Sequence, residues 1–154
     1  MLGLNNTVTE SLDFYGNTNP IELTEKFGSP LYVYNEDIFR KRCQELINLV
    51  TYKNFQVNYS VKANGNLSLL KLAKEEGLKA DAMSPGEMYL EEMAGFKPED
   101  ILYISNNVSG EEMQYAIDRN ILISVDSLSQ LETYGNLNNG GDVAIRFNPG
   151  VGAG

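Results

Sequence analysis

Residues 55–64, FQVNYSVKAN, indicate the fold of this chain most clearly, because they form a β-rich run with a single lysine near its end. Residues 63–66, ANGN, follow Lys62 and are typical of a strand that passes into a loop. An amine inside an apolar strand has little water around it, which favours its neutral, nucleophilic form. Lysines at strand ends more often pack their stem and extend the charged head into water. A functional and a structural interpretation of Lys62 therefore both stay open at this point.

Downstream of this run, short β-rich segments alternate with amphipathic helical segments at a regular interval. The β-rich segments begin near Val57, Ala80, Ile101, Leu122 and Val143, so that successive starts are 23, 21, 21 and 21 residues apart. This alternation is typical of βα units, because parallel strands need a crossover connection between them. The sequence therefore predicts an α/β fold with about five parallel strands.

Helix start signals follow the predicted strands. Residues 84–87, SPGE, are typical of a capping box with proline at the first helical position, and Gly95 can end that helix. Similar boxes begin at Ser109 and Ser127. The loops between strands and helices should therefore lie at the carboxyl edge of the sheet, where α/β proteins usually bind ligands.

Residues 1–30 do not follow this rhythm, and we expect them to form a segment that leads into the repeating domain or lies outside it. The pattern predicts a short helix from Asn19 to Gly28, a strand at 31–34 and a longer helix from Asn35 to about Val50. Residues 31–154 are predicted to form the α/β domain.

The composition argues against several classes of partner. The 154 residues are 42% hydrophobic and 21% charged, which is typical of a globular protein of about one domain. The net charge is −9 without a basic stripe, so we expect neither nucleic acid nor an anionic membrane surface as a partner. The N-terminus does not resemble a signal peptide, and no apolar run is long enough to span a membrane. We expect a cytoplasmic protein.

Histidine is absent, and Cys43 is the only cysteine. These counts exclude a Ser-His-Asp triad, a Cys-His pair and a His- or Cys-based zinc site within these residues, so no metal site is predicted. Cys43 shares a helical face with Phe39 and Ile47, and we expect it to be a buried structural thiol.

Polar side chains recur at the predicted strand ends and form the candidate site. A carboxylate such as Asp81 within a strand is costly unless it is paired, although it could instead cap the next helix. Glu87 could be the third helical residue of the capping box. Arg146 lies in an otherwise apolar strand, where a buried guanidinium needs an anionic partner. With Asn106 and Asp126, these residues suit a polar, anionic ligand.

Four segments together closely resemble the diaminopimelate decarboxylase family, within the alanine-racemase-like, fold-type III pyridoxal-phosphate enzymes. They are YSVKAN at 59–64, ADAMSPGE at 80–87, VDS at 125–127 and RFNPG at 146–150. The resemblance implies the N-terminal part of a (β/α)8, TIM-like barrel with about five of its eight strands. Residues 31–154 would form this partial barrel domain.

The resemblance also implies a function. The cofactor would be pyridoxal 5'-phosphate, with Lys62 binding its aldehyde and with Asp81, Glu87 and Arg146 around it. The reaction would be decarboxylation of meso-2,6-diaminopimelate to L-lysine in a homodimeric enzyme. The family usually has a lysine where this chain has Val108. The family's later strands, phosphate-binding glycines and β-domain have no counterpart in these residues, so we expect the chain to be an N-terminal fragment that is inactive alone.

Three alternatives remain at this point. A related decarboxylase of ornithine, arginine or carboxynorspermidine would share most of these residues. A cofactor-carrier protein of the same barrel family would bind pyridoxal phosphate without catalysis. A non-catalytic interaction fragment would use the exposed edge of the sheet for pairing.

Overall fold

A computed structural model describes residues 14–16, 18–104 and 106–150. Two short 3-10 turns, Val61–Ala63 and Pro98–Asp100, precede the third helix and the third strand. Within the described ranges, no helix combines the length and the apolar character that crossing a membrane requires. In chain order the elements are α1 (Pro20–Phe27), α2 (Glu36–Ile47), β1 (Asn58–Ser60), α3 (Leu67–Glu75), β2 (Lys79–Ala82), α4 (Pro85–Ala94), β3 (Ile101–Ile104), α5 (Gly110–Ile117), β4 (Leu122–Val125), α6 (Leu128–Leu137) and β5 (Ala144–Ile145).

The strands form one parallel, five-stranded sheet in the order β1-β2-β3-β4-β5. Ser60 of β1 pairs with Asp81 of β2, and Ile104 of β3 pairs with Ser124 of β4. After each of the strands β1 to β4, a helix returns the chain to the amino-terminal edge of the sheet, where the next strand begins. No helix is described after β5. The predicted α/β fold with five parallel strands is confirmed.

The main core lies between the sheet and the helices α3 to α6, which contact one another in succession. Ala80 and Ala82 of β2 and Tyr103 of β3 are fully buried in this core. Leu70 of α3 and Met88 of α4 pack against them from the helical layer. Because side chains alternate across a strand, Asp81 lies on the other face of the sheet from the two alanines.

The helix α2 lies outside the repeating units but is attached to them. Cys43 is buried with Ala73 and Leu78 in a second, smaller core, which confirms the predicted structural thiol. Burial raises the pKa of this thiol. The guanidinium of Arg40 binds the carboxylates of Glu75 and Glu76 at the end of α3.

The predicted helices from Asn19 and from Asn35 are confirmed, and both asparagine side chains cap them. The predicted strand at 31–34 is wrong, since the structure shows no strand there. Its residues have high β propensity, but a strand also needs a hydrogen-bonded neighbour, and this segment has none in the sheet. In the predicted segment 1–30, residues 1–13 and 17 lie outside the described residues.

Candidate active site

Three of the four predicted site residues line one cavity at the carboxyl edge of the sheet. Every strand contributes to this cavity, either from its last residues or from the turn that follows it. The strand pattern predicted that Lys62, Asp81 and Arg146 would meet at this edge, and the structure brings them together there. The cavity has a volume of about 370 Å³ and is lined by Lys62, Asp81, Met83, Ile104, Ser124 and Arg146.

Lys62 lies on the 3-10 turn Val61–Ala63, directly after β1. Only Asn58–Ser60 pair with β2, so the strand ends before the lysine. The adjacent Val61 is buried in the core and fixes the turn, whereas the Lys62 side chain is exposed. The expectation of a poorly solvated amine inside an apolar strand is therefore wrong for this structure.

Asp81 lies within β2 and is half-buried. One of its carboxylate oxygens, Oδ1, is buried and has no hydrogen-bond partner among the described residues. Asp81 does not cap the next helix, because the Oγ atom of Ser84 accepts the hydrogen bond from the Glu87 N–H at 3.2 Å. A buried acceptor without a donor is unfavourable, so this oxygen is suited to bind a ligand that donates a hydrogen bond.

Arg146 lies directly after β5, and its side chain is exposed. The expectation of a buried guanidinium in an apolar strand is wrong, because β5 has two residues and forms the edge of the sheet. The backbone N–H of Arg146 donates to the Val125 carbonyl at 2.8 Å. Its Nη1 atom donates to Oδ1 of Asn106 at 3.3 Å. Asn106 thus reaches the site through Arg146, and an anionic ligand can approach the guanidinium.

Glu87 does not line the cavity but supports its wall. The Oε2 atom of Glu87 accepts the backbone N–H of Met83, a lining residue, at 2.6 Å. The predicted capping box is therefore half formed, because the carboxylate binds Met83 and not the N–H of Ser84. Gln130 has the same role in α6, where its Oε1 accepts the N–H of Asp126 at 2.9 Å. Asp126 is exposed and does not line the cavity either.

Glu91, a fully buried carboxyl group on α4, was not predicted from the sequence. Within the described part of the chain, neither of its carboxylate oxygens has a hydrogen-bond partner. Burial, and then the charges of Asp81 and Glu87, raise the pKa of Glu91 to about 8. Glu91 follows the buried Met88 by three residues, so the helical period could have placed it on the inward face.

A larger cavity, of about 640 Å³, lies at the opposite, amino-terminal edge of the sheet. Its lining includes Asn120, Leu122 and Tyr134, but none of the predicted site residues. Size alone does not identify a binding site, and ligands of parallel α/β sheets bind at the carboxyl edge. The smaller cavity is therefore the better candidate.

A parallel βα sheet whose candidate site residues meet at its carboxyl edge has the arrangement found in TIM-like barrel enzymes. Residues 36–154 match the family model for the pyridoxal-binding domain of pyridoxal-dependent decarboxylases. The match covers most of the chain, and the chain belongs to this family.

Within this family, the chain is similar to diaminopimelate decarboxylases. It is 43% identical over 142 residues to the enzyme of Methanothermobacter thermautotrophicus, covering 90% of this chain and 33% of the relative. The crystal structure of the Methanocaldococcus jannaschii enzyme superposes with a TM-score of 0.75 and 33% identity, over 86% of this chain and 33% of that one. The Helicobacter pylori enzyme, solved with L-lysine, gives a TM-score of 0.74 and 29% identity, over 77% and 30%. The chain thus spans about a third of the length of these relatives.

Pyridoxal 5'-phosphate, the cofactor of this family, fits the residues of the cavity. Lys62 supplies the primary amine that its aldehyde requires, and Arg146 supplies a second cation for anionic groups. The Oδ1 atom of Asp81 is a buried acceptor that a bound group can satisfy. The volume also lies within the range of about 300–1,000 Å³ that is typical of small-molecule sites.

Proposed function

We propose that the full-length protein containing this chain decarboxylates meso-2,6-diaminopimelate to L-lysine and CO2, with pyridoxal 5'-phosphate as cofactor. One observation carries this proposal: Lys62, Asp81 and Arg146 line a single cavity at the carboxyl edge of the sheet. The sequence similarity to diaminopimelate decarboxylases supports the choice of substrate.

Each site residue has a proposed role that follows from its position. Lys62, on the turn after β1, would hold the cofactor through its aldehyde. Arg146 lies at the other end of the sheet and would bind an anionic group of the cofactor or the substrate. Asp81, between them, would accept a hydrogen bond at its buried oxygen. Glu87 would hold the Met83 backbone and so keep this wall of the cavity in place.

The chemistry of the reaction divides between the cofactor and the chain. Bound pyridoxal phosphate supplies an electron sink for the pair that is released as the α-carboxylate leaves as CO2. The chain orients the reacting groups at fixed positions around the cavity. The Nζ atom of Lys62, once the substrate amine has taken its place, would carry a proton to or from the reacting carbon.

The alternatives differ from this proposal in the substrate or in the absence of catalysis. A decarboxylase of ornithine, arginine or carboxynorspermidine would use the same Lys62, Asp81 and Arg146. A pyridoxal-phosphate carrier would bind the cofactor through these residues without turnover of an amino acid, and an interaction fragment would require neither the cofactor nor turnover. The relatives with the highest identity reported above are diaminopimelate decarboxylases, which favours that substrate.

We further propose that the substrate is a small-molecule amino acid, that the enzyme is a cytoplasmic homodimer, and that neither nucleic acid nor a membrane is a partner. The acidic net charge of this chain, −9, supports the exclusion of nucleic acid. Gel filtration with light scattering of the full-length protein would measure the dimer.

A turnover assay of the full-length protein tests the function. The protein is incubated with meso-diaminopimelate, ornithine, arginine or carboxynorspermidine, with and without pyridoxal phosphate, and the products are measured by mass spectrometry. We expect cofactor-dependent L-lysine and CO2 from diaminopimelate, and loss of both in Lys62→Ala. Faster turnover of another substrate would favour a related decarboxylase, and cofactor binding without any turnover would favour the carrier.

A further inference from the structure

Asn64, two residues after Lys62, is held by three hydrogen bonds. Its Oδ1 accepts the backbone N–H of Asn66 at 3.0 Å, and its carbonyl oxygen accepts the hydroxyl of Tyr59 at 3.0 Å. Its Nδ2 donates to the hydroxyl oxygen of Tyr34 at 2.8 Å. The first two bonds come from the same βα unit as the lysine, but the third comes from a residue 30 positions earlier.

Tyr34 is itself held in place from outside the repeating units. The next residue, Asn35, caps α2 with its side chain. The helix α2 packs on the first βα unit, where the ring of Phe39 makes an edge contact with Tyr59 at 6.1 Å between centroids. Burial, and next the neighbouring Tyr34, raise the pKa of Tyr59, in line with two phenols that lie close together. The Tyr34 hydroxyl thus joins α2 to the turn that carries Lys62.

We propose that Tyr34 is a positioning residue for Lys62 and acts through the side-chain amide of Asn64. This inference rests on the proposed function, in which Lys62 holds the cofactor. Without the Tyr34 oxygen, the Asn64 amide loses an acceptor, and the loop that follows Lys62 loses its hydrogen bond to the segment before α2. The Lys62 amine then samples a wider range of positions, and fewer of them reach the cofactor aldehyde.

A double-mutant cycle in the full-length protein tests the proposal. The wild type and the variants Tyr34→Phe, Asn64→Ala and Tyr34→Phe/Asn64→Ala are titrated with pyridoxal phosphate, and attachment is trapped with borohydride. Peptide mass spectrometry then measures the occupied fraction of Lys62. Tyr32→Phe is the matched control, because Tyr32 is in the same segment and 86% exposed. Thermal unfolding of each apoprotein reports any general loss of stability.

We expect Tyr34→Phe to weaken attachment at Lys62 about three- to tenfold, the size of effect expected for one neutral hydrogen bond. Tyr32→Phe should match the wild type, and Tyr34→Phe should cause little further loss in the Asn64→Ala background. Equal attachment in Tyr34→Phe and Tyr32→Phe would overturn the inference, as would a full additional loss in the double variant. If the wild type itself does not attach the cofactor at Lys62, the proposed function fails, and the inference fails with it.

Discussion

The guanidinium of Arg146 and the side-chain amide of Asn106 are joined by a hydrogen bond of 3.3 Å. Arg146 follows β5 and Asn106 follows β3, so this bond spans the carboxyl end of the intervening β4. It places a cation beside the cavity that Lys62 and Asp81 also line. Opposite charges therefore meet at one edge of the sheet.

We expect Arg146→Met to weaken the binding of pyridoxal phosphate to the full-length protein about tenfold. A hydrogen bond between a charged donor and an anion contributes about 1.5–3 kcal/mol, and the lower end of that range is about a factor of ten. Spectrophotometric titration measures the dissociation constant. Arg42→Met, which replaces an exposed arginine on α2, is the control. Equal dissociation constants for pyridoxal phosphate in the two variants would contradict the proposed role of Arg146.

Asp81→Asn should change stability and cofactor binding in opposite directions. Asp81 is half-buried, and its Oδ1 is buried without a donor among the described residues, so replacing the carboxylate with a neutral amide should raise the free energy of unfolding of the apoprotein by about 1 kcal/mol. The same change should weaken cofactor binding, because the amide is a poorer acceptor for a ligand. Urea unfolding and cofactor titration measure the two effects, with the exposed Asp142→Asn as control. A less stable apoprotein would show that Asp81 already has a stabilising partner.

Glu91 should make stability depend on pH. Its pKa is raised from the ordinary value of 4.5 to about 8 in the folded state, so the folded protein keeps a proton that the unfolded chain releases. The stability that Glu91 contributes is therefore fully present below about pH 4.5 and declines as the pH rises. It is lost above about pH 8, and the total decrease in the free energy of unfolding is several kcal/mol at most. Urea unfolding between pH 5 and about pH 9 measures this decline. Glu91→Gln, which cannot titrate, should show a smaller decline, and an identical pH dependence would exclude Glu91 as its source.

Glu87→Ala should lower the free energy of unfolding by about 1–2 kcal/mol, because the N–H of Met83 loses its acceptor. Glu87→Gln should lower it less, since its carbonyl oxygen can still accept that bond. Denaturant unfolding measures both variants, and Glu132→Ala, at an exposed position on α6, corrects for the loss of a surface carboxylate. Equal stability of Glu87→Ala and Glu132→Ala would mean that the bond to Met83 contributes little.

The fold was largely predictable because each βα unit repeats the same physical requirement. A strand, a capped helix and two short loops need a similar length each time, which produced the regular spacing from Ala80 to Val143. The segment 31–34 was predicted wrongly, because its composition shows β propensity but cannot show whether a strand lies next to it.

The site was predictable only in part. Parallel strands bring their carboxyl ends to one edge, so the meeting of Lys62, Asp81 and Arg146 followed from the order of the strands. The exposure of Lys62 and Arg146 could not be predicted, because it depends on where strand pairing stops. The strand β1 ends at Ser60, and β5 ends at Ile145. Glu87 was assigned to the wrong backbone N–H for a similar reason, since a one-residue difference in the path of the turn decides the acceptor.

The lysine to which pyridoxal 5'-phosphate attaches is the decisive measurement for the proposed site. The full-length protein is incubated with pyridoxal 5'-phosphate, reduced with borohydride, digested and analysed by peptide mass spectrometry. We expect one dominant modified residue, Lys62. Modification of another lysine, such as Lys71 or Lys79, with Lys62 unmodified, would contradict it.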